Sequence, residues 1–118
     1  MPLVYIIQRP VHRDRNTGDL KEKFNFSDAE RFGELVTMLD SRAHPFQPDK
    51  VVPVLRDTLA NFTQEDFLLL VGNPTLIGWA MGIACFETDG IIQTLQWNQR
   101  KQVYENISVD LQFTFQDE

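Results

Sequence analysis

The chain has 118 residues, of which 42% are apolar and 24% are charged, a composition typical of a folded domain and unlike that of a disordered chain. Its formal net charge of -6 disfavours binding of the whole surface to a nucleic-acid backbone, because such binding requires Lys and Arg to neutralise phosphates. The single cysteine, Cys85, excludes an internal disulfide and favours a reducing compartment. We therefore expect a single domain over residues 1–118, located in the cytoplasm.

The N-terminal half is predicted to contain one strand and two helices. Residues 3–8 are β-branched and aromatic and form a strand, and the polar segment after them is either a long loop or a loose hairpin. A capping-box pattern at residues 27–30 and apolar residues at helical spacing predict a helix over about residues 27–39. A second helix is predicted over about residues 48–62, and it either begins late or kinks at Pro53.

The C-terminal half is predicted to begin with a continuous apolar strand over residues 67–71. A helix follows over about residues 74–86, capped by Asn73, and the next strand covers residues 91–97. A four-residue reversal then leads to a final strand, or a pair of strand pieces, over residues 102–115. The predicted fold class is α/β, with a four-stranded mixed sheet that contains one βαβ unit and a C-terminal β-hairpin, covered by about three helices.

Residues 67–86 contain no charged side chain, and this length matches what a membrane-spanning helix requires. The residues on both flanks are acidic, however, whereas spanning helices usually have Lys or Arg at the cytoplasmic end. The Gly72-Asn73-Pro74 turn would also break a helix inside the hydrocarbon. We therefore predict two core elements joined by a helix cap, and no membrane contact.

Gly72, Asn73 and Thr75 are candidates for an anion site at a helix N-terminus, where free amides attract negative charge. The segment matches neither the phosphate-loop pattern nor the glycine pattern of dinucleotide-binding proteins. Helix capping alone also explains Asn73 and Pro74. Both interpretations, a structural cap and a phosphate site, therefore stay open.

The helix that begins at Pro74 is predicted to be apolar on all sides, which indicates burial by the sheet, by other helices or by a partner subunit. Gly78 and Gly82 form a line of small residues, and Trp79 and Ile83 lie beside them. These four residues are the interface candidates. We accordingly expect a homo-oligomer.

The best polar candidates are basic and lie near aromatic residues, a combination typical of anion or single-strand recognition. They follow the first predicted strand and mark the last reversal: Arg9, His12, Arg13, Arg15, Arg100 and Lys101. The alternative interpretation is that these groups balance an acidic surface.

Motifs for catalysis or metal binding are not found in the sequence. Neither histidine has a Cys, His or carboxylate at metal-ligand spacing, and Cys85 lies inside an apolar run. We therefore expect no enzyme activity, no metal and no cofactor.

Residues 66–111 resemble a small family of uncharacterised bacteriophage proteins. The positions that carry the resemblance are Asp66, Gly72-Asn73-Pro74, Gly90, Trp97 and Arg100. The opening RPVHRDRNTGD and residues 32–35 are similar as well, so that the resemblance spans most of the chain. It implies a phage accessory protein acting in a host cytoplasm, and it assigns no functional residues.

The leading hypothesis is a non-enzymatic phage or bacterial accessory protein that acts through protein association and self-associates. Its further partner would be an unknown host or phage protein. The alternative hypothesis is binding of nucleic acid or of a nucleotide phosphate through the basic N-terminal loop and the hairpin tip, which the net charge disfavours.

Overall fold

The computed structural model describes residues 2–112. Within them, a five-stranded mixed sheet has the strand order β4-β1-β5-β6-β7, and β2 and β3 form a separate two-stranded sheet. The strands are β1 Leu3–Gln8, β2 Val11–Arg13, β3 Leu20–Glu22, β4 Glu34–Leu39, β5 Phe67–Leu69, β6 Ile91–Asn98 and β7 Val103–Asp110. The helices are α1 Pro48–Thr58, α2 Pro74–Thr88 and a short 3-10 helix at Ser27–Arg31.

The central strand β1 pairs in parallel with β4 on one side and with β5 on the other. Strand β6 continues the parallel set beside β5, and β7 returns antiparallel to β6 as the predicted C-terminal hairpin. Because β5, α2 and β6 are consecutive and the two strands are parallel, the predicted βαβ unit is confirmed.

Side chains of β1 alternate between two buried cores, as the period of two in a strand requires. Tyr5 and Ile7 pack on one face of the sheet against α1 and α2. Val4 and Ile6 pack on the opposite face, against Ala29 of the 3-10 helix and neighbouring residues. A strand buried on both faces explains why residues 3–8 read as a continuous apolar run.

The predicted helix over residues 27–39 is wrong beyond Arg31. Only a 3-10 helix forms, and β4 follows it and extends the sheet from the predicted four strands to five. Gly33 lies between the two elements, where a Cβ atom would approach the backbone oxygen of Pro2 to 2.4 Å. The apolar spacing of this segment fits a strand as well as a helix, and pairing with the free side of β1 decides between them.

The predicted capping box at residues 27–30 does not form, since the 3-10 helix has no side-chain cap. Asp28 instead accepts a hydrogen bond from the backbone amide of Tyr104 at 2.7 Å, and Arg31 donates to the backbone oxygen of the same residue. The two side chains thus occupy backbone groups of β7, which is an edge strand of the sheet. Because residues 27–31 form only a short 3-10 helix, the described residues contain two α-helices and not the predicted three helices.

The helix predicted over residues 48–62 is confirmed in its apolar face but ends earlier, at Thr58. Val51, Leu55 and Leu59 are buried in the core, as their spacing predicts. Pro53 lies inside the helix, so that the predicted late start does not occur.

The start of α2 is confirmed: Pro74 is its first residue, and the Asn73 side chain accepts from the amide of Thr75 at 2.9 Å. Strand β7 ends at Asp110, and the predicted extension over residues 113–115 lies outside the described residues. Among residues 2–112, none of the helices combines the length and the apolar character needed to cross a membrane.

Candidate functional site

A crevice forms at the carboxyl ends of β1 and β5, which are parallel neighbours. The chain leaving β1 passes over the face of the sheet that Ala29 covers, whereas the chain leaving β5 enters α2 on the opposite face. Two adjacent parallel strands whose connections diverge in this way define a topological switch point. In open α/β sheets, ligands bind in the crevice at this point.

Gln8, the last residue of β1, holds this end of the sheet together. Its side-chain oxygen accepts from the amide of Asn73 at 2.9 Å, and its side-chain nitrogen donates to the carbonyl oxygens of Asp40 and Ala43 at 3.1 and 2.8 Å. These partners follow β4 and β5, so that one buried side chain connects the end of β1 to the loops after two other strands. These hydrogen bonds hold the loops after β4 and β5 against the end of β1 on this side of the crevice.

Of the anion-site candidates, Gly72 and Asn73 line the crevice beside Gln8, and Thr75 follows in the first turn of α2. The amide of Asn73 donates to Gln8, and the amide of Thr75 donates to the Asn73 side chain. Gly72 has a φ of +120°, and a Cβ there would lie 2.6 Å from Cβ of Gln8. Two of the amides that a phosphate site would use are thus hydrogen-bonded within the chain.

Two cavities of 500 and 590 Å³ adjoin at this edge and share Lys23, Phe24, Leu70 and Val71 in their walls. The smaller cavity lies on the side of Gln8 and Asn73. The larger one extends to the β6–β7 hairpin and is lined there by Trp97, Gln99, Gln102 and Tyr104, with Asn25 and Asp28 opposite.

Four aromatic rings form a connected row beside the larger cavity, and three of them, Phe24, Tyr104 and Trp97, line it. The ring centroids of Phe24 and Phe26 are 6.5 Å apart, those of Phe26 and Tyr104 are 6.5 Å apart, and those of Tyr104 and Trp97 are 4.9 Å apart. Phe24 and Trp97 are 44% and 40% exposed. Burial, with a smaller contribution from Asp28, raises the pKa of Tyr104 above its ordinary value of 10.0, so that its hydroxyl is neutral at physiological pH.

The six basic candidates lie in two parts of the chain, the segment after β1 and the β6–β7 turn. Arg9 follows β1, His12 and Arg13 are on β2, Arg15 is in the turn after β2, and the remaining two are in the β6–β7 turn: Arg100 and Lys101.

Three of the six basic candidates have partners within the chain. Arg9 forms an ion pair with Glu22 at 2.8 Å, and its guanidinium lies 5.2 Å from the ring centroid of Phe26. Arg13 donates to the backbone oxygen of Gly18, and Lys101 pairs with Glu105 at 3.4 Å. The side chains of His12, Arg15 and Arg100 are exposed.

The outer face of α2 is a second candidate surface. Its inner face buries Leu76, Ala80, Ala84 and Thr88 within the chain. Gly78 and Gly82 on the outer face are exposed, and a Cβ atom at either position would meet nothing within 4 Å among the described residues. The chain by itself therefore does not provide the burial on all sides that was predicted for this helix.

Apolar side chains flank the two glycines. Trp79 and Ile83 are partly buried against the core, whereas Phe86, one helical turn beyond Gly82, is 86% exposed. A shallow hollow of 530 Å³ lies beside Phe86 and is lined in part by Gly82, Cys85, Gly90 and Leu111. Burial raises the pKa of Cys85, which makes this thiol a poor nucleophile at neutral pH.

Sequence reasoning missed the residues that shape the crevice: Gln8, Lys23, Phe24, Gln99 and Gln102. One signal was present, since Gln8 is a polar residue at the carboxyl end of a strand that is otherwise apolar. The others lie beside or within turns, and their meeting at one edge depends on the strand order.

The comparison with protein families assigns the chain. A family model described as Phage Pam3 gp32-like protein matches residues 2–111, and this range confirms the resemblance to bacteriophage proteins. Comparisons with curated proteins and with solved structures give no match. The chain therefore belongs to the Phage Pam3 gp32-like protein family.

Proposed function

We propose that this phage-family protein acts through protein association, without catalysis, and that it self-associates through the outer face of α2. One observation carries the proposal: residues 74–86 contain no charged side chain, and beyond the first turn of the helix the exposed residues of this face are two uncovered glycines and Phe86. An exposed apolar helix face of this kind is unusual on a monomer. The proposed setting is the host cytoplasm.

A second copy of the chain is the occupant that the geometry favours. If two α2 helices pack antiparallel about a two-fold axis at Gly82, Phe86 lies about 6 Å along the helix from the axis. Gly78 lies at the same distance on the other side, so Phe86 of each copy would face Gly78 of the partner subunit. The glycines permit close approach of the helices, because a Cβ atom is absent at the position that each Phe86 would cover.

Charge also favours this surface over the rest of the molecule. Two copies with a net charge of -6 each repel one another, and contact through a charge-free helix face brings the fewest like charges together. The acidic groups Glu87 and Asp89 lie beyond Phe86, at the end of the helix. We expect them at the rim of the interface, in contact with water.

Sedimentation velocity tests the proposal, with a Phe86→Glu variant and a matched Val54→Glu control. Val54 is an exposed apolar residue of the other α-helix, α1. The unmodified chain and the control should dimerise with a dissociation constant of about 1–100 µM, whereas Phe86→Glu should stay monomeric at every concentration. Gly82→Leu should also dissociate the dimer, since a bulky side chain at the axis separates the helices.

A monomeric unmodified chain would overturn the proposal, and so would a dimer that Phe86→Glu and Gly82→Leu both leave intact. Circular dichroism of each variant checks that the fold is kept, so that loss of association is assigned to the surface.

Binding of nucleic acid through the basic residues is the second candidate function, and the exposed side chains of His12, Arg15 and Arg100 support it. Under this proposal, a single-stranded oligonucleotide binds at low salt and is released as salt increases. Combined Arg13→Ala and Arg15→Ala substitutions should abolish the binding. Absence of binding at low salt would remove this candidate.

A further inference from the structure

We infer that the larger cavity at the carboxyl edge of the sheet binds a free nucleoside monophosphate. The inference does not depend on self-association, because the cavity and the outer face of α2 share no lining residue. It also differs from the basic-residue proposal, since the cavity is lined by neither Arg13 nor Arg15.

Location and size support a small-molecule site. The cavity lies at the carboxyl ends of β5 and β6, and it adjoins the smaller cavity at the switch point, where α/β sheets bind their ligands. Its volume of 590 Å³ lies within the range of about 300–1,000 Å³ that is typical of ligand pockets.

The apolar part of the wall suits a flat ring. Phe24 and Trp97 are among the largest exposed apolar side chains of the described residues, and both face this cavity. Tyr104 packs against Trp97 in an edge-to-face contact, with 4.9 Å between the ring centroids. Aromatic faces that are held in place and left open are the surfaces on which nucleobases stack.

The polar part of the wall suits the edge of a base. Gln99 accepts from the indole nitrogen of Trp97 through its side-chain oxygen, which leaves its NH2 group without a partner among residues 2–112. Gln102 donates its NH2 group to the backbone oxygen of Gln99, which leaves its side-chain oxygen free among the same residues. One donor and one acceptor on the same turn thus complement the alternating groups of a nucleobase edge.

The backbone of Gln102 adds a separate observation. Its φ is +59°, a left-handed conformation that Gly adopts without strain and that Gln adopts rarely. Gln102 is the last residue of the β6–β7 turn, and its amide donates to the carbonyl oxygen of Asn98 at 2.8 Å. In this conformation the Gln102 side chain lines the cavity together with Trp97 and Gln99.

Lys23 provides a charge for the phosphate. Its ammonium group lies 5.7 Å from the ring centroid of Phe24 and forms no ion pair among the described residues. Because Lys23 lines both adjoining cavities, a base stacked near Phe24 places its phosphate within reach of this cation.

Fluorescence titration with AMP, GMP, CMP and UMP tests the inference in a Trp79→Phe background, where Trp97 is the remaining tryptophan of the chain. At least one nucleotide should change the Trp97 emission saturably, with a dissociation constant of about 10–500 µM. Lys23→Met should weaken binding about tenfold, and the matched control Lys50→Met on the surface of α1 should leave it unchanged. Gln102→Gly should also weaken it, although the turn stays folded.

Three results would overturn the inference: no saturable change with any of the four nucleotides, equal binding of inorganic phosphate, or binding of an oligonucleotide with none of a mononucleotide. The Phe86→Glu variant separates the two proposals. It should bind the nucleotide with unchanged affinity even though it does not dimerise, and the combined Arg13→Ala and Arg15→Ala variant should bind it equally well.

Discussion

The side-chain oxygen of Gln8 accepts a hydrogen bond from the backbone amide of Asn73 at 2.9 Å, across 65 positions of sequence. This contact connects the end of β1 to the residue that caps α2. Gln8 also donates from its side-chain NH2 group to two carbonyl groups after β4. Both the oxygen and the nitrogen of its side-chain amide are therefore hydrogen-bonded. The closure of the crevice at this side therefore depends on one buried side chain.

Gln8→Met should lower the free energy of unfolding by about 2–4 kcal/mol, because it leaves the amide of Asn73 and the carbonyl of Ala43 without a partner in a partly buried site and removes one of two hydrogen bonds to the carbonyl of Asp40. Urea unfolding measures the change. Gln96→Met, at an exposed position of β6, is the control and should change the unfolding free energy by less than about 0.5 kcal/mol. An equal effect of both substitutions would contradict the assigned role of Gln8.

Gly72→Ala and Gly78→Ala should have opposite effects on stability. At Gly72 the new methyl group would lie 2.6 Å from Cβ of Gln8 on a backbone with a φ of +120°, and a loss of about 2 kcal/mol or more is expected. At Gly78 the space is open and the residue is inside α2, so alanine should stabilise the chain by about 0.5–1 kcal/mol. Thermal unfolding of both variants, each at one protein concentration below the dimer dissociation constant, compares the two effects.

Gln102→Gly should raise the free energy of unfolding by about 0.5–1 kcal/mol, because glycine adopts the left-handed conformation of this turn without strain. Lys101→Gly in the same turn is the matched control. The backbone φ of Lys101 is not positive, so glycine at this position gains no relief of strain and should destabilise the hairpin. Chemical unfolding of the two variants measures the difference, and a loss of stability in Gln102→Gly would show that the side chain has a structural role that outweighs the strain.

Asp66→Asn should destabilise the chain by about 1–3 kcal/mol. The buried carboxylate accepts from the amide of Leu3 at 2.9 Å and from the amide and hydroxyl of Thr63 at 2.9 and 3.1 Å. Asparagine replaces one acceptor oxygen by an NH2 group, which would face the amide of Leu3 or of Thr63 and could not accept its hydrogen bond. Asp89→Asn, at an exposed left-handed position that asparagine tolerates, is the control for guanidinium unfolding.

The β2–β3 hairpin should lose stability in acid. A hydrogen bond from Lys21, followed by the amides of Asn16 and Thr17, lowers the pKa of Asp14 below its ordinary value of 3.8. A carboxylate whose pKa is lower in the folded state stabilises that state above its unfolded pKa. This contribution is lost as the pH falls below about 3.8 and passes through the lower folded value.

Amide chemical shifts of Asn16 and Gly18 followed from pH 6 to about pH 2 report this loss. Asp14→Asn keeps an oxygen for the turn amides but cannot pair with Lys21, and the part of the transition that belongs to Asp14 should be absent. A transition of the same midpoint in Asp14→Asn would assign the effect to another group.

The sequence predicted those elements whose signals are local. A cap and a proline identify the start of α2 at Asn73-Pro74, and the continuous apolar runs identify β1 and β5. It failed over residues 34–39, where one apolar pattern is compatible with both a helix and a strand. The deciding interaction there is pairing with β1, which lies about 31 positions earlier in the chain, as in the pair Leu3 and Glu34.

By itself, then, the sequence determined the α/β class, the βαβ unit and the charge-free character of residues 74–86, because periodicity and capping act over a few neighbouring residues. The strand order, the link from Gln8 to Asn73 and the cavity between Phe24 and Gln102 were decided only by the tertiary structure. Their members are distant in the chain and meet because β1 is paired on both sides. A local sequence pattern cannot predict these long-range contacts, since they depend on which strand edges remain free for pairing.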